Sequence, residues 1–145
     1  MLGKIRLIFV TKKYAATLAF YQDGLGLPIV EAWDHGLQER GVEFQAGSGS
    51  IQFTALAPQS GYTLGLSTDH HGVSIGIEVD NIEAWYRRAC ENELEISQEL
   101  STFPWGERGF TLVDPNGIGV YIYSVIMEEE NNQGEDGTLP YVISE

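Results

Sequence analysis

The feature that most constrains this chain is that it spells one pattern of elements twice. Lys4 to Thr11 (KIRLIFVT) is rich in β-branched and aromatic residues and reads as a strand. From Lys13 to Asp23 the period changes: Tyr14, Leu18 and Tyr21 recur at i, i+4 and i+7, which predicts an amphipathic helix ending at Gly24 and Gly26 with Thr11 as its N-cap. Three strand-like runs follow, Pro28–Trp33, Gly41–Ala46 and Ser50–Leu56, separated by DHG (34–36) and GSGS (47–50). After a polar, glycine-containing stretch (58–71, PQSGYTLGLSTDHH) the order restarts. Gly72–Asp80 is a strand, and Ile82, Trp85, Tyr86 and Ala89 mark a second helix ending near Asn92. Asp80 and Glu83 have the spacing of a capping box. Ile96–Thr102, Glu107–Val113 and Ile118–Ser124 supply three more strands.

A duplicated β-α-β-β-β unit is therefore expected, with residues 1–57 as the first module, 58–71 as a linker, 72–125 as the second module and 126–145 as a tail. Aligning the strand–helix junctions, Val10-Thr11-Lys12 with Val79-Asp80-Asn81, gives an offset of 69 residues. Aligning the glycine turns before the last strands, Gly49 with Gly117, gives 68. The second of those turns, Asp114-Pro115-Asn116-Gly117, combines a proline with residues that tolerate positive φ.

A chain of 145 residues with 43% hydrophobic content can bury a core, and no apolar run approaches the roughly 18 residues of a membrane span. The opening MLGKIRLIFV has no small-residue cleavage site and runs into a strand, so no signal peptide is expected. The single cysteine, Cys90, excludes an internal disulfide and fits a reducing cytoplasm; Cys90 itself reads as a small buried residue. The net charge of −13 argues against nucleic acid as a partner and permits a cationic one. Six of the acids lie in residues 126–145, which contain no base. Glu128 to Gly137 is therefore expected to be solvated, whereas Leu139 to Ile143 (LPYVI) is apolar enough to dock on a surface or add to a sheet edge.

Specific stretches resemble the vicinal oxygen chelate superfamily, which includes glyoxalase I, extradiol dioxygenases and the fosfomycin- and bleomycin-resistance proteins. LAFYQDGLGLPIV (18–30) is similar to that family's helix-to-strand junction, GIEVDNIEAWY (76–86) to its second strand–helix start, and PWGERGFTLVDPNG (104–117) to its final hairpin. The resemblance spans roughly residues 4–124 and implies an α+β fold, two tandem βαβββ modules forming a cup-shaped curved sheet with the helices on its outer face. It also implies a homodimer. In the family's metalloenzymes the cup holds a divalent cation, with ligands near the start of each module's first strand and in the middle of each last strand. Carried onto this chain, and checked by the two offsets, those positions are Ile5 and Ser74, Phe53 and Tyr121. Ile and Phe have no donor atom, and Ser and Tyr are poor neutral ligands, so no metal and no cofactor are expected.

Strand alternation then gives the expected cup face: Ile5, Leu7 and Phe9; Ile51, Phe53 and Ala55; Ser74, Gly76 and Glu78; Gly119, Tyr121 and Tyr123. Ile8, Val10, Ile75, Ile77, Val79, Val120 and Ile122 are expected beneath the helices. Glu78 is either a salt-bridged rim residue, paired with Arg6 or Arg108, or a charge anchor for a basic ligand. Trp33 and Trp105, at strand ends, either stack on a ligand or pack at an interface; Trp85 reads as core. The expected ligand-binding set is Phe9, Trp33, Phe53, Ser74, Glu78, Trp105, Tyr121 and Tyr123, with no catalytic residue assigned. The leading reading is a metal-free protein of the bleomycin-resistance kind that sequesters a small, cationic or aromatic molecule. The alternative is a lyase, isomerase or dioxygenase with a rearranged metal site or Glu78/Tyr121 acid–base chemistry. A third is an interaction module whose cup is filled by Phe53, Tyr121 and Tyr123.

Overall fold

In a computed structural model that describes residues 2–36, 39–56 and 66–126, each module is a four-stranded sheet crossed on one face by a helix. The first comprises β1 (Arg6–Val10), α1 (Tyr14–Leu18, continuing as a π-helical stretch Ala19–Gly24), β2 (Ile29–Asp34), β3 (Glu39–Ala46) and β4 (Gly49–Leu56). The second comprises β5 (Ser74–Glu78), α2 (Ile82–Glu91), β6 (Ile96–Thr102), β7 (Glu107–Val113) and β8 (Gly119–Val125). The strand orders are β1-β4-β3-β2 and β5-β8-β7-β6, with the first and last strand of each module parallel and the other pairs antiparallel. This is the expected α+β architecture of curved open sheets. Residues 57–65 and the tail from Met127 lie outside the described residues.

Both helices start one or two residues later than their expected caps. Thr11 accepts the Lys13 N–H at 2.9 Å in a turn ahead of α1, and Lys13 takes the cap position without a side-chain bond. On α2, Asn81 is the cap and its Oδ1 accepts the Ala84 N–H at 3.3 Å. Glu83 is thereby free to bond the Arg108 guanidinium at 3.0 Å. Cys90 is exposed rather than buried, because Ala89 occupies the core-facing position of that turn.

One core unites the modules. Tyr21, Phe44, Phe53, Phe110, Leu112, Ile118 and Ile122 are all fully buried in it, and truncating any such aromatic to alanine costs about 3–5 kcal/mol. A polar seam joins the modules on their helix side. Asp114 Oδ2 accepts the Tyr21 hydroxyl at 2.7 Å, while Oδ1 accepts the N–H groups of Asn116 (2.7 Å) and Ile118 (2.9 Å). Asn116 accepts from Thr11 at 2.6 Å and donates to Thr17 at 3.0 Å. From α2, Arg88 donates to the carbonyls of Gly24 (3.0 Å) and Asp23 (3.1 Å), and Asn92 donates to Gly24 (2.9 Å). These bonds satisfy carbonyls that the first helix leaves unpaired at its C-terminus, where a cation is also favoured by the helix dipole.

The hydrogen bonds also fix the true register of the repeat. Ser50 N–H to Ile5 O (3.1 Å) is matched by Gly119 N–H to Val73 O (3.1 Å). Thr11 N–H to Thr54 O (2.9 Å) is matched by Val79 N–H to Tyr123 O (2.8 Å). First strands are thus equivalent at an offset of 68 and last strands at 69, the reverse of the expected assignment. The extra residue lies in the turn before β8: residues 46–49 join the paired Gln45 and Ser50, whereas residues 114–118 join the equivalent pair Val113 and Gly119. A one-residue slip moves a strand's side chains to the other face. Phe9 and Phe53, expected in the cup, instead face the first helix. Phe53 is fully buried, with its ring centroid 5.0 Å from that of Tyr21 and 5.5 Å from that of Phe9. Ile8, expected beneath the helix, is 40% exposed. In the second module Ile75, Ile77, Val120 and Ile122 are buried as expected.

Candidate functional site

The sheet face turned away from α2 is aromatic. On β8, Tyr121 and Tyr123 alternate with the buried Val120 and Ile122, so their rings project together and stack at 5.1 Å with planes 12° apart. The loop between β6 and β7 adds Phe103 and Trp105, stacked at 4.6 Å and 3°, and Phe103 reaches Tyr121 at 6.3 Å. The four rings form one continuous ladder. Gly109, opposite Tyr123 in the β7–β8 register, makes room for it: a Cβ there would lie 2.8 Å from Tyr123 Cβ, 2.9 Å from the Tyr121 ring and 2.6 Å from the Ile122 carbonyl.

Glu107 organises the upper part of the ladder, its Oε1 accepting both the Tyr121 hydroxyl (2.9 Å) and the Trp105 indole N–H (3.0 Å). Burial first, and the bond to Glu107 second, push the Tyr121 hydroxyl up to about 12, so it stays protonated at neutral pH. Burial also raises Tyr123, and the charge of Glu78, its register neighbour on β5, adds to the effect. Glu78 is exposed and has no ion pair among the described residues: Arg108, an expected partner, binds Glu83 and Thr102 on the opposite face. Beside Glu78 and Tyr123 opens a cleft of about 710 Å³ that also reaches Gly76, Asp80, Trp85 and the Gly47-Ser48 turn of the first module. Ser74 is exposed at the start of β5. Trp85 is half-buried against the core, with its edge in this cleft.

The equivalent face of the first module is polar. Arg6, Ile8 and Val10 take the places of Ser74, Gly76 and Glu78, while Gln52 and Thr54 take those of Tyr121 and Tyr123. Gln52 donates to Thr54 at 3.0 Å. Glu43 is almost fully buried, accepting from Ser50 at 2.6 Å and from Lys4 at 3.3 Å. The Ser50 bond, outweighing burial and helped by Lys4 and Arg6, holds its carboxyl below the usual range. Trp33 lies over Gly41, the counterpart of Gly109, and its indole N–H bonds Glu39, the counterpart of Glu107, at 2.9 Å.

The structure therefore brings Tyr121, Tyr123, Trp105, Ser74 and Glu78 onto one face, with Trp33 on the equivalent face of the other module and Phe9 and Phe53 in the core. Phe103, Glu107 and Gly109 were not anticipated, although the 68-residue spacing of Glu39 and Glu107, each near a tryptophan, was readable. The family's metal positions, re-derived from the observed register, are Arg6, Gln52, Ser74 and Tyr121. They do not fit a cation. Arg6 is itself cationic with no lone pair to donate, Ser74 is a poor neutral ligand, and the Tyr121 hydroxyl keeps its proton and donates to Glu107, which leaves the Gln52 amide oxygen as the one competent donor of the four. Among the described residues no group of three or more His, Cys, Asp or Glu could hold a metal ion.

Residues 5–122 match the family model described as Glyoxalase/Bleomycin resistance protein/Dioxygenase superfamily. No curated protein matches the chain significantly in sequence. Among solved structures, the fold is similar to a glyoxalase/bleomycin resistance protein/dioxygenase from Nocardioides (16% identity, TM-score 0.65, 99% of this chain and 91% of that one). It is also similar to TioX from Micromonospora sp. ML1 (14%, 0.69, 86% and 100%). A third is a bleomycin resistance determinant encoded on the transposon Tn5 (20%, 0.62, 87% and 100%). At these identities the likeness is one of fold.

Proposed function

The chain belongs to the Glyoxalase/Bleomycin resistance protein/Dioxygenase superfamily, and from that premise we propose that it sequesters a small, flat, cationic molecule on the aromatic face of its second module, without metal and without turnover. The observation that carries this reading is the ladder Trp105–Phe103–Tyr121–Tyr123, which ends beside the exposed Glu78 carboxylate and the cleft it borders. Stacked rings offer apolar area and an electron-rich face to a planar cation, and a carboxylate at the end fixes its orientation. The neighbour encoded on Tn5 is a bleomycin resistance determinant, which is consistent with a role toward a small molecule on this fold. A homodimer, which the family resemblance implies, would close the open face over the ligand. A cytoplasmic location fits the single exposed cysteine; no described helix is long and apolar enough to cross a membrane.

Acid–base chemistry by Glu78 and Tyr121 finds less support, because the Tyr121 hydroxyl donates to Glu107 and is a weaker acid than a free phenol. The test is calorimetric titration with a panel of planar cations and neutral isosteres, on protein purified without chelator and assayed for metal. Saturable binding at one site per chain, weakened at least tenfold in both Tyr123→Ala and Glu78→Gln, is the expected result. A stoichiometric divalent ion in the protein, or an unaffected affinity in both variants, overturns it.

A further inference from the structure

We propose that Glu107 makes the aromatic face of the second module select planar cations over neutral molecules of the same shape, an inference that rests on the stacking reading above. Glu107 lies on β7, two residues from Gly109, so it shares the face of Tyr121 and Tyr123. Its Oε1 accepts both ring donors there, the Tyr121 hydroxyl at 2.9 Å and the Trp105 indole N–H at 3.0 Å. The carboxylate is thus bonded to the polar edges of two rings whose faces form the proposed contact surface. Among the described residues Glu107 has no ion pair, and the neighbouring Arg108 is held by Glu83 and Thr102. Its counterpart in the first module, Glu39, accepts the Trp33 N–H at 2.9 Å but also meets His35 Nδ1 at 2.8 Å.

Two effects follow from that placement. A hydrogen bond to a negative acceptor polarises its donor, so the indole and the phenol become richer in electrons. A richer ring face attracts a cation more strongly, while its dispersion contact with a neutral ring hardly changes. The charge also acts directly through space. The Tyr123 hydroxyl is raised first by burial and then by the charges of both Glu78 and Glu107, so each carboxylate is felt at that ring. Its strand, β8, lies between β5, which carries Glu78 opposite Tyr123, and β7, which carries Glu107 opposite Val125. A cation over Tyr123 is therefore flanked by negative charge on two sides, and a neutral molecule gains nothing from either. Glu78 anchors the ligand at the cleft; Glu107 sets the charge that the rings prefer.

Titration of N-methylacridinium, and of neutral acridine of nearly the same shape, into the full-length protein at slightly alkaline pH tests this. The wild type is expected to prefer the cation. Glu107→Gln keeps an acceptor oxygen and the volume but not the charge; it should weaken binding of the cation about fivefold and change that of acridine less than twofold. Glu107→Asp, which keeps the charge and shortens its reach, should retain most of the preference. The Trp105 indole N–H resonance, assigned with Trp105→Phe, should move in Glu107→Gln, which reports the lost charged acceptor in a folded protein. Three outcomes overturn the proposal. Equal weakening of both probes in Glu107→Gln would make Glu107 a support for the rings alone. A preference lost equally in the Gln and Asp variants would assign it to geometry, and one unchanged in Glu107→Gln would leave Glu78 as its whole source. In all three the wild type still binds both probes, so the stacking reading survives; a wild type that binds neither sinks that reading together with this one.

Discussion

At equivalent places on their open faces the two modules carry Gln52 and Tyr121, Thr54 and Tyr123, Glu43 and Thr111, Val10 and Glu78. Beneath the helices the same comparison pairs Phe53 with Ile122, Val42 with Phe110 and Phe44 with Leu112, all fully buried. The buried faces stay apolar at every pair, with a phenylalanine in one module set against an aliphatic residue in the other, because a close-packed core penalises buried polar groups and voids alike. The faces away from the helices have no need to be apolar throughout, so one sheet can carry a polar network in which Glu43, Ser50 and Thr54 are themselves buried, and the other a stack of rings. Fold and function thus occupy opposite sides of each strand.

The largest way to break the comparison is at the turns. Asp114→Ala leaves the Tyr21 hydroxyl and two N–H groups without their acceptor, and should cost about 3–4 kcal/mol in denaturant unfolding. Its counterpart Ala46 makes no such bonds; an Asp114→Ala loss under about 0.5 kcal/mol would show that the seam is incidental. Next, Gly109→Ala meets a carbonyl and a Cβ that cannot yield easily, and should cost about 1–3 kcal/mol while spreading the ladder. Gly41→Ala mainly meets the Trp33 ring, which can swing aside, so its cost should be smaller and a shift in tryptophan fluorescence larger. Equal costs would remove the distinction.

Tyr121→Phe deletes one bond to a carboxylate and should cost about 1–2 kcal/mol near neutral pH. The raised hydroxyl also predicts an alkaline signature. Its contribution is whole below the ordinary phenol value, because both folded and unfolded states hold the proton. It is lost as pH rises from there through about 12, where the unfolded chain ionises first. A wild type and Tyr121→Phe of identical alkaline stability profile would contradict this. Smallest is Glu43→Gln on the polar face. The depressed carboxyl favours folding above the usual carboxylate value, and that contribution disappears as pH falls through the folded value. The variant should therefore have a flatter acid limb in a pH–stability curve than the wild type; superimposable limbs would count against the Ser50–Lys4 arrangement.

The repeat, the element order and the open face of the second module were all readable in the sequence, since Ser74, Gly76 and Glu78 alternate unambiguously with Ile75 and Ile77. The first module was inverted. Its β1 is apolar on both faces (Ile5, Leu7, Phe9 against Ile8, Val10), so alternation alone could not set the phase, and aligning Gly49 with Gly117 put the extra residue in the wrong place. A usable signal lay in β4 itself, where Ser50, Gln52 and Thr54 alternate with Ile51 and Phe53. Side-chain partnerships that cross between elements, such as Glu107 with Tyr121, leave no periodic trace in the sequence.

The extra residue in the turn before β8 bears on how the chain reaches its native state. It lets Asp114 and Asn116 project into the first module and bond Tyr21, Thr11 and Thr17, roughly a hundred residues away along the chain. Such contacts form only after a long loop has closed, and that closure carries an entropic cost. The two halves should therefore not melt as beads on a string: an isolated second half would strand a buried carboxylate, and the intact chain should unfold in a single cooperative transition.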